Sequence, residues 1–494
     1  MVKLVDALDS KSSGSDTVPV RFRPRAPIAR NFDTIVSKFF FLREKSYNNG
    51  MKYKSLKALT ILGAIVSLTA CQNSNAISTE GVKLLKEPAP SKVFDYKTYE
   101  KDANYLSFKS KMQSFSNRLS EVFVKDQYNP NKNIIVSPLS IEMCLGLATY
   151  AANGTTRQEL LNALDVDYNQ LNDCYKLFFE QFNVTNYSNT GDLASQLLLT
   201  NSIWIDNDVE YIDKGLNDLR DNYYCYSYEA DFDGHNKESN NAIKEFINEK
   251  TKGLINPDIN LAPEILFVLM NTLYLKDVWN EAGSELSFSQ NPYFFKEGNG
   301  NAEQTKLLIG NYDSGKAIEN GDFSSFHVST NHGYKLYFIK PNEGKSVSQV
   351  FNKENIAYIF DSQNYVKVDE EKKEEYFTRC LFPEYKADSD LDLKKLFIDN
   401  FNVKSLFDKN GSLTNVCKTP AYVRDFRHIA KLEVDKKGIE GAAVTYMAYA
   451  GEAAPLYTKV YNDFILDKEF GFVLTNRYND VLFSGVVSNI DPTR

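Results

Sequence analysis

Histidine, cysteine and tryptophan are scarce in this 494-residue sequence, with four, six and two copies. The histidines and cysteines form no Cys-x-x-Cys pair and no His-Glu-x-x-His motif, which argues against a zinc site. A Gly-x-Ser-x-Gly motif and a Gly-rich nucleotide loop are also missing. Because no nucleophile, base and acid stand in a recognisable arrangement, we expect a protein without metal or cofactor that is not an enzyme.

The sequence also lacks a strong excess of charge of either sign. Lys and Arg number 57 against 65 Asp and Glu, the net charge is −8, and both signs are mixed along the chain. We therefore expect no nucleic-acid partner. After residue 95 the sequence contains no Pro/Gly/Ser-rich linker and no repeat. These features predict one large domain over residues 95–494.

The apolar run over residues 58–67 is too short to cross a bilayer, which takes about 20 residues. It follows a basic start at residues 51–57 and ends in Leu68-Thr69-Ala70-Cys71, the layout of a signal peptide over residues 51–70. The ending resembles a bacterial lipobox, which implies cleavage before Cys71 and attachment of lipid to its thiol. A plain signal peptide with a cysteine placed there by chance is the alternative.

The lipobox resemblance implies an exported, outer-membrane-anchored lipoprotein, because Gln72 stands where an Asp would retain the protein at the inner membrane. Whether the domain faces the periplasm or the cell surface stays open. Residues 71–94 are predicted to be a flexible tether. Residues 1–50 precede the signal and lack a folding pattern, so we expect an unstructured extension or an over-extended reading frame.

Five cysteines remain if Cys71 is lipidated. They are Cys144, Cys174, Cys225, Cys380 and Cys417. An odd and scattered set does not predict a disulfide framework, even in an exported protein.

Residues 438–455 are dominated by small side chains and carry only two charges, those of Glu440 and Glu452. With the two-residue period of a strand, Glu440 falls on one face and the opposite face is uncharged. The uncharged face consists of Ile439, Gly441, Ala443, Thr445 and Met447. Such a segment can be exposed in one state and become a buried strand in another. An ordinary edge strand or helix with small residues is the alternative.

The flanks of this segment resemble the reactive-centre loop of the serpins. His428 and an alternating strand lead to Asp435-Lys-Lys-Gly-Ile-Glu-Gly-Ala-Ala443, similar to the family's Gly-Thr-Glu followed by alanines. The later Leu482-Phe-Ser-Gly-Val-Val487 is similar to the family's Leu-Phe-x-Gly-x-Val ending.

Further stretches resemble serpins in the same order. They are Asn133–Ile141, Gly154–Leu160, Asn201–Trp204, Ile243–Ile255, Leu269–Trp279, and Leu381–Lys386 with Asp392-Leu393 and Leu406-Phe407. The resemblance runs from near Asp95 to the end of the chain. It implies an α+β serpin fold of about nine helices around three β-sheets, with an exposed reactive-centre loop.

The resemblance implies a suicide-substrate inhibitor of serine proteases. The protease attacks a bait bond in the loop and forms an acyl-enzyme. The cut loop then inserts into the central sheet and the protease stays trapped as a covalent complex. Papain-like cysteine proteases are a second target class, and a monomer is expected. The alternatives are a non-inhibitory serpin-fold binding protein and a hydrolase with an unrecognised site.

The resemblance also assigns residues to the mechanism. The loop hinge comprises Gly438, Ile439, Glu440, Gly441, Ala442 and Ala443. The polar network that controls opening of the sheet comprises Ser137, Ser140, Asn271, His428 and Trp279. Family spacing from the hinge places the bait bond between Glu452 and Ala453, and the segment beyond it is longer than usual. The alternative bait residues are Ala450, Tyr457 and Lys459.

Overall fold

Three large β-sheets and ten α-helices form the part of the chain that the computed structural model describes. This part comprises residues 79–188, 191–279, 285–409, 412–418, 421–424, 426–439 and 457–490. All of these residues belong to the unit Ala76–Arg494. The predicted α+β class is confirmed, with one helix more than the nine expected within the described ranges.

The helices are named in chain order. They are α1 (Tyr96–Tyr99), α2 (Ala103–Gln127), α3 (Pro138–Ala151), α4 (Gly154–Leu164), α5 (Tyr168–Gln181), α6 (Asp213–Tyr223), α7 (Asn236–Lys250), α8 (Val347–Val350), α9 (Lys353–Phe360) and α10 (Lys394–Phe401).

The strands are named in the same way. They are β1 (Val82–Lys86), β2 (Ile134–Val136), β3 (Val184–Tyr187), β4 (Leu193–Asp206), β5 (Cys225–Ala230), β6 (Phe267–Val278), β7 (Ser287–Phe288), β8 (Tyr293–Lys296), β9 (Ala302–Thr305), β10 (Leu308–Ile309), β11 (Asp313–Ser314), β12 (Ala317–Glu319), β13 (Phe323–Ser329), β14 (Lys335–Pro341), β15 (Val368–Asp369), β16 (Glu374–Phe382), β17 (Tyr385–Asp392), β18 (Arg427–Val434), β19 (Gly438–Ile439), β20 (Thr458–Ile465), β21 (Phe470–Thr475) and β22 (Val481–Val487).

The largest sheet, sheet A, has the strand order β1-β5-β4-β6-β19-β18-β17, and β3 also pairs with β4. Sheet B has the order β12-β13-β14-β21-β22-β2. Sheet C has the order β11-β16-β10-β7, with β15 and β20 also paired to β16. In sheet A, β19 is only two residues long and stands between the long strands β6 and β18.

Helix α3 lies in the main core. Ser137 caps its N-terminus by accepting a hydrogen bond from the Ser140 amide, and Pro138 occupies the first turn, where its missing N–H costs nothing. Nearly every residue of α3 is buried, as expected for a helix that is apolar on all sides. It contributes to the same hydrophobic cluster as Leu273 of β6 and Val486 of β22, and so supports sheets A and B.

Helix α7 covers the opposite face of sheet A. Its buried residues follow helical spacing and include Ile243, Phe246 and Ile247. They form a second cluster with Trp204 of β4 and Tyr228 of β5, whose rings stack with centroids 4.2 Å apart. The neighbours Ile203 and Ile205 belong to the main core instead, because successive strand residues alternate between faces.

The segment interpreted as a tether contains an ordered strand. β1 pairs antiparallel with β5, the register beginning at Val82 opposite Ala230. Val82 is buried in the cluster beneath α7. The regular structure therefore begins before residue 95, the predicted start of the domain.

Candidate functional site

The feature that organises the site is the short strand β19. Gly438 lies opposite Val278 and Ile439 opposite Asp277, both antiparallel to β6. Ile439 also lies opposite Val434 of β18, again antiparallel. The first two residues of the predicted hinge thus already occupy the end of a strand position in the middle of sheet A.

A glycine is required at residue 438 because two backbones approach each other closely. A Cβ atom there would lie 2.2 Å from the Asp277 carbonyl oxygen and 2.7 Å from the Val278 Cα. Both neighbours are backbone atoms, which cannot move aside as a side chain could. The next residue, Ile439, is fully buried. Ile439, which belongs to the uncharged face of the segment, is thus inside the sheet.

The turn that leads into β19 is held by Asp435 and Trp279. The Asp435 carboxylate accepts hydrogen bonds from the Lys437 and Gly438 amides at 2.7 and 3.1 Å. The Trp279 indole donates to the Asp435 carbonyl oxygen at 2.8 Å. Trp279 is buried and packs edge-to-face against Phe382, with ring centroids 5.7 Å apart. It therefore fixes the entrance of the strand position.

A buried carboxylate lies beside the hinge. Asp277 is fully buried and accepts hydrogen bonds from the Val278 and His332 amides at 2.9 and 3.0 Å. Its Oδ1 atom is also 2.8 Å from Nδ1 of His332. These contacts fix the backbone of β6 at the residue that pairs with Ile439.

Beyond Ile439, the strand position continues as a cleft between β6 and β18, with a volume of about 460 Å³. Residues 267–273 of β6 and 427–429 of β18 line its two sides. Ser140, Ile141 and Cys144 of α3 line it from the core, and Ile243 and Ile247 of α7 line it from the other face. The cleft is thus bounded by two parallel strands, and among the described residues Gly438 and Ile439 are the ones that pair between them.

Polar groups from different elements meet at this cleft. The Ser137 amide donates to Nε2 of His428 at 3.0 Å, and the Ser140 hydroxyl donates to the Asn271 carbonyl oxygen at 3.3 Å. The Asn271 side-chain amide donates to Oδ1 of Asn201 at 2.9 Å. Its own Oδ1 is buried and has no hydrogen-bond partner. Four of the five predicted network residues therefore meet here, and an acceptor is left open.

Two buried titratable groups of the cleft, His428 and Cys144, are neutral at neutral pH. Burial lowers the pKa of His428 to about 4, so its imidazole is uncharged at neutral pH. The hydrogen bond from the Ser137 amide identifies Nε2 as the acceptor nitrogen. Burial raises the pKa of the Cys144 thiol to about 12, so this cysteine is not a thiolate nucleophile at neutral pH.

The far end of the loop joins sheet C. The Tyr457 hydroxyl lies 3.0 Å from both carboxylate oxygens of Glu370, and the Thr458 amide donates to the Lys373 carbonyl oxygen at 2.8 Å. Lys459 lies within β20, opposite Glu375 of β16. Two of the alternative bait residues are described by the structure. Tyr457 is held by Glu370, and Lys459 is paired within a strand of sheet C.

The remaining loop and anchor predictions lie outside the described residues. They concern Cys71, Glu440, Gly441, Ala442, Ala443, Ala450, Glu452 and Ala453. Their assignments stay predictions. Trp279 is described and does not line the cleft, because it belongs to the entrance at the opposite end of β6.

Sequence reasoning missed Asp277 and Asn201 as parts of the site. Asp277 interrupts an apolar strand, and a charged residue in such a run signals a buried partner. Its partner His332 is 55 residues away, which no local pattern connects to it. Asn201 stands in the stretch identified as a central strand, where a polar side chain likewise needs a buried partner.

Across the described ranges, His, Cys, Asp and Glu form no group of three or more that could hold a metal. None of the cysteines in these ranges is joined in a disulfide. A search of the described residues for a helix with the length and apolarity of a membrane crossing finds none.

The pairing of Gly438 and Ile439 between two long strands of sheet A agrees with the comparisons to known proteins. Residues 110–490 match the family model "Serpin (serine protease inhibitor)". This match spans most of the chain, and the chain belongs to the serpin family. Members of the family are mostly protease inhibitors rather than catalysts.

Individual relatives are distant. The chain is 24% identical over 377 residues to Iripin-2 of Ixodes ricinus, covering 73% of this chain and 89% of that protein. The thermophilic serpin tengpin in its native state has a TM-score of 0.62 and 20% identity, covering 82% of this chain and 98% of its own. Human thyroxine-binding globulin has a TM-score of 0.64 and 18% identity, covering 78% of this chain and all of its own (100%). These structural similarities support the fold alone.

Proposed function

We propose that this chain is a suicide-substrate inhibitor of serine proteases, with papain-like cysteine proteases as a second target class. The observation that carries the proposal is the seating of Gly438 and Ile439 between β6 and β18, above an open cleft.

The register of β19 defines how insertion would continue. Extended one residue at a time along β6, it places Thr445 opposite Asn271. Extended along β18, it places the same Thr445 opposite His428. Thr445 would therefore lie between Asn271 and His428, two residues of the predicted polar network. Residues 443–449 would then pass the part of β6 that lines the cavity.

The inserted strand would complete the polar network. Thr445 shares the inward face with Ile439, and its hydroxyl is a donor of the kind that Asn271 Oδ1 lacks. The strand would also pair its backbone with β6 and β18, which gain hydrogen bonds along the cleft. Both gains exist only after the loop has been cut and has entered, and they supply the driving force of the trap.

The chemistry belongs to the protease. Its serine oxygen, or the sulfur of a cysteine protease, attacks the carbonyl carbon of the bait residue. The peptide bond to the next residue breaks, and the new amino terminus leaves with a proton. The bait residue remains bound to the protease as an acyl-enzyme. Insertion then carries the acylated protease along sheet A, and the distortion of its active site prevents hydrolysis of the acyl bond. We assign the bait bond to Glu452-Ala453.

A panel of serine and cysteine proteases tests this function. We expect at least one protease to form a complex that survives SDS, with release of a C-terminal peptide whose mass gives the bait bond. A peptide that begins at Ala453 supports the assignment, and one that begins elsewhere in residues 441–460 corrects it. Ordinary cleavage by every protease, without a complex and without greater heat resistance of the cut protein, would favour the non-inhibitory alternative.

We further propose that the protein is exported and anchored through lipid on Cys71. The support is the sequence alone, a signal-peptide layout over residues 51–70 that ends at this cysteine. Expression from Met51 in a Gram-negative host should give a product that partitions into detergent. The Cys71→Ser variant should partition into water after processing or keep its signal. Equal partitioning of both products would exclude the anchor.

A further inference from the structure

An aromatic surface lies on sheet C beside the anchored end of the loop. We call it the β20 face. Its side chains are Lys459, Tyr461 and Asp463 of β20, Phe377 and Arg379 of β16, and Tyr312 just before β11. They share one side of the sheet, because β16 and β20 pair in parallel with Phe377 opposite Tyr461 and Arg379 opposite Asp463.

The side chains of the β20 face hold one another in place. Tyr461 packs edge-to-face on Tyr312 and against Phe377, with ring centroids 5.0 and 5.6 Å apart. Arg379 forms two hydrogen bonds of 2.9 Å with Asp463 and lies 4.8 Å from the centre of the Tyr312 ring. Yet Tyr461 is 56% exposed and Tyr312 39% exposed. Preorganised, exposed tyrosines beside an arginine have the composition of binding hot spots.

The β20 face lies close to Tyr457, the first described residue after the loop. Tyr457 and Thr458 are tied to residues 370 and 373, so β20 begins at an anchored point. From Ala453 to Tyr457 an extended chain spans at most about 14 Å, and four more strand residues to Tyr461 add about 13 Å. A protease domain of about 200 residues has a radius of gyration of roughly 16 Å, so it is wide enough to cover both.

We propose that the β20 face is a docking surface for the target protease, which contacts Tyr461 and Tyr312 while it holds the bait bond. The inference rests on the proposed function and adds a second contact to it. Arg379 and Asp463 pair with each other, so neither offers a free charge beside the two exposed tyrosines. The partner surface is therefore apolar and aromatic, and the contact accelerates formation of the encounter complex without affecting insertion.

The test measures second-order association rates for a protease that forms the SDS-stable complex with the wild-type chain. We expect Tyr461→Ala and Tyr312→Ala to slow association five- to tenfold, and the loss to persist in about 0.5 M NaCl, where charge steering is screened. Tyr461→Phe should stay within twofold of wild type, because the ring makes the contacts. Tyr187→Ala is the matched control, since this tyrosine of β3 is 67% exposed on sheet A.

The stoichiometry of inhibition and the heat resistance gained after cleavage should be the same in all four variants. A wild-type complex together with an unchanged association rate for both alanine variants would refute the docking surface and leave the proposed function intact. Absence of a complex with the wild-type chain would overturn the function and this inference with it. A wild-type dimer in solution that Tyr461→Ala dissociates would assign the face to self-association instead.

Discussion

Ile439 lies opposite Val434 in sheet A, and the two side chains are buried on the same face of the sheet. This pairing places the hinge inside the sheet before any cut has been made. The inserted conformation that we propose for the loop would be continuous with this contact. Insertion would then extend an existing strand and would not need a new nucleation event.

A charge at residue 439 should block this extension. In Ile439→Arg the side chain would be an unpaired charge at a fully buried position, which costs about 3–5 kcal/mol. We expect the hinge to leave the sheet and the variant to become a substrate, cleaved without a stable complex. Titration of the protease with the inhibitor measures this change as a rise in the number of inhibitor molecules consumed per protease molecule inhibited. Glu440→Arg, on the predicted outward face, should inhibit normally; equal failure of both variants would contradict the inward assignment.

The loss of the Thr445 hydroxyl should affect only the cleaved protein. In Thr445→Val the inserted strand would leave Asn271 Oδ1 without the donor proposed above, at a cost of about 1 kcal/mol. Unfolding in guanidinium should therefore show an unchanged native form and a less stable cleaved form. Thr458→Val, on β20 outside the inserted segment, is the control. An equally stable cleaved form would argue for a different register.

The sequence contains the motifs of the fold, and the structure confirms their elements: Ser137 caps α3, Asn201–Trp204 lies in β4, and Leu269–Val278 lies in β6. The strand β1 could not be predicted, because five residues gain strand structure only from an available sheet edge. The pairing of Ile439 between β6 and β18 could not be predicted from the sequence either. This pairing depends on whether the hydrogen bonds gained by the strand exceed the entropy lost on closing the loop, and the local sequence pattern does not contain that difference.

Acid should weaken the sheet at the cleft through His428. Its pKa in the folded protein is about 4, below the ordinary 6.5, so the folded state binds fewer protons than the unfolded state between these values. The stability that neutral His428 provides is complete above pH 6.5 and is lost as the pH falls through 4. The full loss is about 3 kcal/mol. Urea unfolding of the wild type and of His428→Gln at pH 7.5 and pH 5 measures this loss in the free energy of unfolding.

Glutamine keeps an acceptor for the Ser137 amide and removes the titration, so the stability difference between the two proteins should shrink at pH 5. A difference that is the same at both pH values would exclude His428 as the source. His428→Ala removes the acceptor as well and should promote latent or polymeric forms on heating. His327→Ala is the comparison, since His327 is also a buried histidine of low pKa, about 3, but lies in sheet B.

Loss of the indole hydrogen bond at the entrance should release the hinge. Trp279→Phe keeps an aromatic ring against Phe382 and removes the donor to the Asp435 carbonyl, which costs about 1–2 kcal/mol. Because Asp435 holds the turn before Gly438, we expect faster conversion to the latent form as well as lower stability.

The chain has two tryptophans, which provides a matched control. Trp204→Phe removes a similar hydrogen bond, to Ser202 at 3.1 Å, beneath α7. Trp204→Phe should lower stability without changing the rate of latent conversion, when each protein is measured the same number of degrees below its own melting temperature. Equal acceleration in both variants would mean that Trp279 acts only through global stability.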